Sequence, residues 1–279
     1  AASYLECQDK FRMSGIFRSV YVLDRPQKHI GDYKINTEYS DGKWVLSVEN
    51  RGNAGFLARF MGEEKYIKPR SRGEFVSVSV EKWSAENPAL YELVLSADGE
   101  KIYEKVGFRT VSVENGVFKV NGEKIKLKGV NRHEFNGRTG AAVALEDTVR
   151  DLDLMKELNV NAIRTSHYPD MPEFYSLCDA KGFFVLDEAD LEMHGACTRH
   201  GDYENELWQE YADNMLFENG IYEREVALVE RDKNRPCVVM WSLGNESSFG
   251  KAFLKGAKYV KRADSRPVHY EGLQNAAKK

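Results

Sequence analysis

From residue 125 to residue 270, short apolar runs alternate with segments whose apolar residues recur at spacings of three and four, and this alternation constrains the fold more than any other feature. Runs over 125–130, 161–165, 183–186, 238–243 and 268–270 read as strands. Between the first two, Leu145, Val149, Leu152, Met155 and Leu158 lay an apolar stripe on one helix face, and further helices are predicted over 171–181, 221–233 and 249–263. Gly182 stands where a helix ends in a left-handed turn, and Asn234-Arg235-Pro236 stops the third helix. Repeated βα units imply a parallel sheet, either open and doubly wound or closed as an eight-stranded barrel.

The positions of the polar residues favour the barrel. His133 follows the first strand, His167 the second, Glu192 and His194 the third, Asn245 and Glu246 the fourth, and Glu271 the fifth. A barrel gathers side chains from many strand ends around one mouth, whereas an open sheet concentrates its site at a switch point, often beside a Gly-rich phosphate loop that is absent here. Five strands are fewer than a barrel's eight, so residues 114–279 read as the N-terminal part of an incomplete (β/α)8 TIM barrel.

Upstream the period is two. Tyr33, Ile35, Thr37 and Tyr39 alternate with polar residues, Asp41-Gly42 turns the chain into Trp44, Leu46 and Val48, and Val76, Val78 and Val80 alternate with serines. Residues 27–113 therefore read as an immunoglobulin-like β-sandwich, with Trp44 and Trp83 in its core. Residues 1–26, with an apolar run over 20–23, cannot form a core alone and read as the last strand region of a larger upstream domain. A start at Ala1-Ala2-Ser3 looks like a cut, so the chain reads as a fragment.

Composition excludes several functions. Lys+Arg 40 against Asp+Glu 44 gives a net charge of −4, which argues against a strongly basic nucleic-acid binder. No apolar run reaches the roughly 20 residues of a membrane span. Cys7, Cys178, Cys197 and Cys237 are scattered without a Cys-x-x-Cys pair, so they read as free thiols in a reducing, cytoplasmic setting and not as a zinc site.

The sharpest chemical signal is Trp241-Ser242-Leu243-Gly244-Asn245-Glu246-Ser247, an apolar strand that ends in an amide and a carboxylic acid. Glycosidic cleavage needs an acid that stays protonated at neutral pH, which shielding from water promotes. Glu246 is the candidate; the plain alternative is that it caps the helix that follows. The stretch 187–195 packs four carboxylates and His194 just past strand three. Glu192 and His194, two apart on one side of an extended chain, could join Glu246 around one divalent ion, and Mg²⁺ suits such a carboxylate-rich set. His133 and His167, each placed after a strand, suggest a shared pocket for hydroxyl groups. Arg164 is best explained by pairing with a buried Asp187 or Glu188.

These residues carry a resemblance. Residues 129–134, Ser166-His167-Tyr168-Pro169, Asp187-Glu188-Ala189, Glu192-x-His194-Gly195 and 242–247 resemble the β-galactosidases of glycoside hydrolase family 2. Tyr4-Leu5-Glu6, Gln8-Asp9 and residues 12–18 resemble the end of that family's jelly-roll domain, and residues 83–88 its immunoglobulin-like domain. The resemblance implies that Glu246 is the acid/base and that Asn245 binds the sugar beside the reacting carbon. It implies Mg²⁺ on Glu192, His194 and Glu246, and His133 and His167 on the galactosyl hydroxyls. Asp9 would contact the sugar and a Na⁺ ion.

The family is retaining, and its nucleophilic Glu follows a later strand that nothing here resembles; Glu271 is not assigned that role. The reading is thus a β-galactosidase that hydrolyses terminal β-D-galactosides, with a parent that forms a homo-oligomer and an isolated chain that is inactive. The rivals are a β-glucuronidase or β-mannosidase of the same family and a non-catalytic carbohydrate-binding module.

Overall fold

The computed structural model describes residues 2–8, 10, 11, 13, 15–77, 79–201, 204 and 206–273. After a short helix α1 (Ala2–Leu5), the next regular element among the described residues is β1 (Tyr33–Ser40). β1 and β2 (Lys43–Asn50) pair antiparallel from Tyr33↔Asn50 to Ser40↔Lys43. The two-residue loop between them is the predicted Asp41-Gly42, with φ of 52° and 76°, the double positive φ that matches the twist of a tight hairpin. β3 (Phe56–Phe60), β4 (Glu63–Ile67), β5 (Arg72–Ser77), β6 (Tyr91–Ala97) and β7 (Glu100–Val106) complete two antiparallel sheets, ordered β1-β2-β5 and β4-β3-β6-β7. Their inner faces share one core that includes Trp44, Leu46, Phe56, Phe75 and Phe108. On β5 it is Phe75 that turns inward while Val76 is exposed, and Val78 lies outside the described residues.

β8 (Val111–Glu114), β9 (Val117–Val120) and β10 (Glu123–Lys124) form a small antiparallel sheet that leads into a five-stranded parallel one. Its members are β11 (Gly129–Arg132), β12 (Ala162–Thr165), β13 (Phe184–Glu188), β14 (Val238–Ser242) and β15 (Val268–His269), hydrogen-bonded in chain order. Helices α2 (Leu145–Glu157), α3 (Pro172–Lys181), α6 (Met215–Asp232) and α7 (Lys251–Ala263) connect them, with α4 (His194–Cys197) and α5 (Glu206–Ala212) inserted after β13. Sequential order is that of a barrel wall; a doubly wound sheet reverses order at its switch point. No described helix is long and apolar enough to cross a membrane.

Three local expectations change. The first barrel strand starts four residues late, because Ile125 still donates its N–H to Phe118 in the preceding hairpin. Helix α6 starts at Met215, six residues early, because the Asn214 side chain accepts the N–H of Leu216 and caps it. Trp83 is not in the two-sheet core: it is fully buried in the barrel's core, donates Nε1–H to the Asp179 carbonyl at 2.8 Å and meets Phe184 edge-on. Gly182 does end α3 at φ 75°, and a Cβ there would lie 2.4 Å from the Ala85 carbonyl oxygen, so the backbone beside Trp83 also needs glycine at this position.

The two-sheet unit is joined to the barrel at the N-terminal ends of the strands. Arg109 donates to the carbonyls of Pro236 at 2.5 Å and Val238 at 2.8 Å. Asp179 of α3 accepts the Cys237 N–H at 2.8 Å and lies 3.6 Å from Arg235. Burial pushes the Asp179 carboxyl up to about 6, against the lowering pull of Arg235. Between about pH 4, where an unfolded Asp titrates, and about 6, the folded state keeps a proton that the unfolded state has lost, so this group's contribution to stability is lost as pH rises through that window. Asp179→Asn keeps the acceptor and removes the titration. Urea midpoints measured from pH 4 to 7 are expected to show a shallower decline in the variant; an unchanged slope assigns the pH dependence elsewhere.

Candidate active site

Of the four carboxylates of 187–192, Asp187 and Glu188 part company through strand alternation, and Asp190 and Glu192 lie beyond the end of β13. Asp187 turns to the helix layer, where it accepts the Tyr175 hydroxyl at 2.6 Å. Glu188 turns to the other side, fully buried. Asp190 accepts from the Gln8 side chain at 2.9 Å, and burial followed by the charge of Glu6 raises its carboxyl to about 6. Glu192, fully buried, accepts from Asn245 Nδ2 at 2.8 Å.

Glu188 collects donors from two neighbouring strands. Arg164 clamps it through Nε at 2.6 Å and Nη2 at 2.9 Å, which selects Glu188 from the two partners expected for that arginine. His167 Nδ1 lies 2.6 Å away and the Ser242 hydroxyl 2.5 Å. Burial alone would raise this carboxyl, but the His167 hydrogen bond and the Arg164 charge hold it below its ordinary range. Arg164 Nη2 also reaches Asn245 Oδ1 at 3.0 Å, so one guanidinium links the carboxylate to the amide beside Glu246. Ser242 lies 3.1 Å from Nδ1 of His269 on β15.

Glu246 stands at the end of β14 and is about one-third exposed, so shielding of its side chain is only partial among the described residues. Its Oε2 lies 2.6 Å from His194 Nδ1. It does not cap α7: the N-cap there is Gly250, and no acidic residue sits in that helix's first turn. His133 packs edge-on against His167 with ring centroids 5.6 Å apart and lies 3.4 Å from the Tyr168 hydroxyl. Its neighbours are scaffolding: Arg132 pairs with Asp170 at 2.7 Å and Asp151 at 2.9 Å, and Glu134 accepts the Met171 N–H.

Of the sequence-derived candidates, His133, His167, Asn245, Glu192, His194 and Glu246 all lie in the segments that follow β11 to β14. Asp9 lies outside the described residues; its neighbour Gln8 donates to the His167 carbonyl at 2.8 Å. The extended chain expected from Glu192 to His194 ends at Met193, since His194 begins α4. The proposed Mg²⁺ ligands are chemically suited to a hard cation. They are not gathered on one centre: Glu192 turns to Asn245, His194 turns to Glu246, and no three His, Cys, Asp or Glu side chains among the described residues form a ready metal site. His269 was not singled out by sequence, where the strand assignment over 268–270 was the available signal, and Ser242 was named only as part of the 241–247 segment. No two of the four cysteines are bridged.

Comparison with known proteins places the chain. Residues 111–279 match the family described as "Glycosyl hydrolases family 2, TIM barrel domain". The chain is 42% identical to the β-galactosidase of Staphylococcus xylosus over 97% of its length and 28% of the relative's. It is 38% identical to that of Lactobacillus delbrueckii subsp. bulgaricus over 100% of its length and 30% of the relative's. The chain thus spans less than a third of these relatives. Among solved structures, a β-glucuronidase of Ruminococcus gnavus superposes with a TM-score of 0.72 at 26% identity, covering 85% of this chain and 43% of that one. A β-D-glucuronidase of Dictyoglomus thermophilum gives 0.71 at 24% identity, over 88% and 44%, a likeness of fold.

The buried ion pair carries a stability prediction. Arg164→Met strands a carboxylate that is fully buried and is expected to destabilise the chain by about 3–5 kcal/mol in urea unfolding at pH 7. Arg164→Met combined with Glu188→Gln should lose less than Arg164→Met alone. Equal or greater loss in the double variant means the charge is compensated by other groups.

Proposed function

The chain belongs to glycosyl hydrolase family 2, and from that premise we propose that it carries the acid/base half of a retaining β-galactosidase site. The observation that supports this most is Glu246 at the end of β14, held at 2.6 Å by His194 and flanked by Asn245, in a chain whose curated relatives are β-galactosidases. In this reading Glu246 protonates the glycosidic oxygen as the bond to the anomeric carbon breaks, then takes a proton from the water that releases the sugar. Asn245, His133 and His167 bind the galactosyl hydroxyls, and Asp9 adds a contact and a Na⁺ ligand.

Retention needs a second carboxylate about 5–5.5 Å from the first to attack the anomeric carbon. Glu188 is engaged by Arg164, His167 and Ser242, and Glu192 by Asn245, which is not the disposition of an attacking group. We therefore propose that this chain alone does not turn over substrate. The immunoglobulin-like identity of residues 27–113 and the jelly-roll identity of residues 1–26 belong to the same proposal; two antiparallel sheets around one core support the former.

A second reading, β-glucuronidase, is favoured by the solved structures of similar fold. Calorimetry with galactose-configured and glucuronate-configured isofagomine separates the two: the galactose form is expected to bind at least about tenfold (1.4 kcal/mol) more tightly, and the reverse preference overturns the galactosidase reading. An aryl β-galactoside assay beside Glu246→Gln is expected to show no hydrolysis above the variant; Glu246-dependent turnover means that a nucleophile lies within these residues.

Mg²⁺ on Glu192, His194 and Glu246 is a separate proposal, supported by the donor types and by the His194–Glu246 contact. Closing the three around an ion requires His194 to release Glu246. Mg²⁺ titration of the chain should therefore show one site that Glu192→Gln abolishes; equal binding by that variant removes Glu192 from the set.

A further inference from the structure

Glu188 has no assigned part in the reaction, yet more of the site's polar side chains converge on it than on Glu246. A carboxylate offers about four lone-pair sites. Here Oε1 receives Arg164 Nη2 and His167 Nδ1, while Oε2 receives Arg164 Nε and the Ser242 hydroxyl, two partners on each oxygen. With its acceptor capacity filled and no exposure to water, Glu188 has no lone pair left for a substrate or an attacking role. What it can do is dictate which atoms of its neighbours carry hydrogen.

We propose that Glu188 is the positioning residue of this site, fixing His167 directly and His269 through Ser242 as Nδ1–H tautomers and orienting Asn245 through Arg164. The proposal rests on the sugar-binding reading of His167 and Asn245 given above. An ionised carboxylate only accepts, so the 2.6 Å contact requires hydrogen on His167 Nδ1. Ser242 has one hydroxyl hydrogen, and at 2.5 Å it is donated to Glu188. Towards His269 Nδ1, 3.1 Å away, the serine oxygen is therefore the acceptor, and that nitrogen also carries hydrogen. In neutral rings this leaves Nε2 as the acceptor on both, the atom type that takes a hydrogen bond from a sugar hydroxyl. Arg164 fixes the amide in the same way: it donates to Asn245 Oδ1 at 3.0 Å, which leaves Nδ2 to donate to Glu192.

The test reads tautomers without needing activity. The chain has six histidines, few enough to assign by substitution, and long-range ¹H–¹⁵N correlation at pH 8 distinguishes Nδ1–H from Nε2–H rings. His167 and His269 are both expected as Nδ1–H in the unaltered chain. Glu188→Gln should shift both, and Ser242→Ala should shift His269 while leaving His167 unchanged, a split that general loosening of the site would not produce. Nε2–H at either ring in the unaltered chain, or no shift at either ring in a folded Glu188→Gln, overturns the proposal. If Glu188→Gln does not fold, Ser242→Ala decides the same point at His269.

As a second readout, Glu188→Gln should weaken galactose-configured isofagomine about tenfold or more, with partial recovery in Glu188→Asp. Unchanged affinity overturns the link to sugar binding. An unaltered chain that binds neither the galactose- nor the glucuronate-configured inhibitor overturns the sugar-binding reading of His167 and Asn245 in this chain, while the tautomer result still decides the role of Glu188.

Discussion

An ionised carboxylate sealed from water is tolerated only if nearly every lone pair is met, and in this fold Glu188 imposes that demand. Its partners come from β12, the loop after it, and β14, and Ser242 passes the contact on to β15. A one-residue slip of either flanking strand would reverse the facing of Arg164 or Ser242 and leave the charge uncompensated. The register that aligns the strand ends, Arg164↔Leu186 on one side of β13 and Glu188↔Ser242 on the other, is therefore tied to the same interaction that orders the site. The buried charge is weak as a source of net stability and strong as a selector of one arrangement.

The two ends of the sheet divide the work. At the N-terminal ends Arg109, Arg266 and Asp179 satisfy carbonyls and N–H groups where α6 gives way to β14, and Trp83 and Gly182 fit the two-sheet unit to the barrel. None of these groups touches Glu246 or the histidines through a described hydrogen bond. At the C-terminal ends almost every polar side chain bonds to another member of the site. Such separation is how a barrel keeps its scaffold while its mouth varies.

Much of this was legible because periodicity reports burial. All five parallel strands, the helix over 145–158 and the Asp41-Gly42 hairpin follow from spacing alone, and the polar residues after the strands marked the segments that form the candidate site. What spacing cannot do is partition equivalent chemistry. Asp187, Glu188, Asp190 and Glu192 are alike on paper; the strand's alternation sends one to Tyr175 and its neighbour to Arg164, and the choice depends on register. His269 was hidden for a related reason, since a histidine in a two-residue strand gains meaning only once Ser242 is beside it. Trp83 was misplaced because a sequence shows that an indole is buried but not which of two adjoining cores receives it.

The turn that presents Glu246 shows what the arrangement costs. Gly244, Glu246 and Ser248 adopt φ of 134°, 26° and 57°, three left-handed residues within five, and two of them are not glycine. A Cβ at 244 would lie 2.7 Å from the Leu191 carbonyl oxygen, the same oxygen that accepts the Asn245 N–H at 2.8 Å. The strand thus ends where its backbone is pressed against the chain that carries Glu192, and Asn245 and Glu246 are turned to opposite duties: the amide down to Arg164 and Glu192, the acid across to His194. Unfavourable φ at non-glycine positions persists only where surrounding contacts hold it, and here those contacts run through Asn245 and Arg164 to Glu188, so the strained turn and the buried carboxylate are parts of one construction.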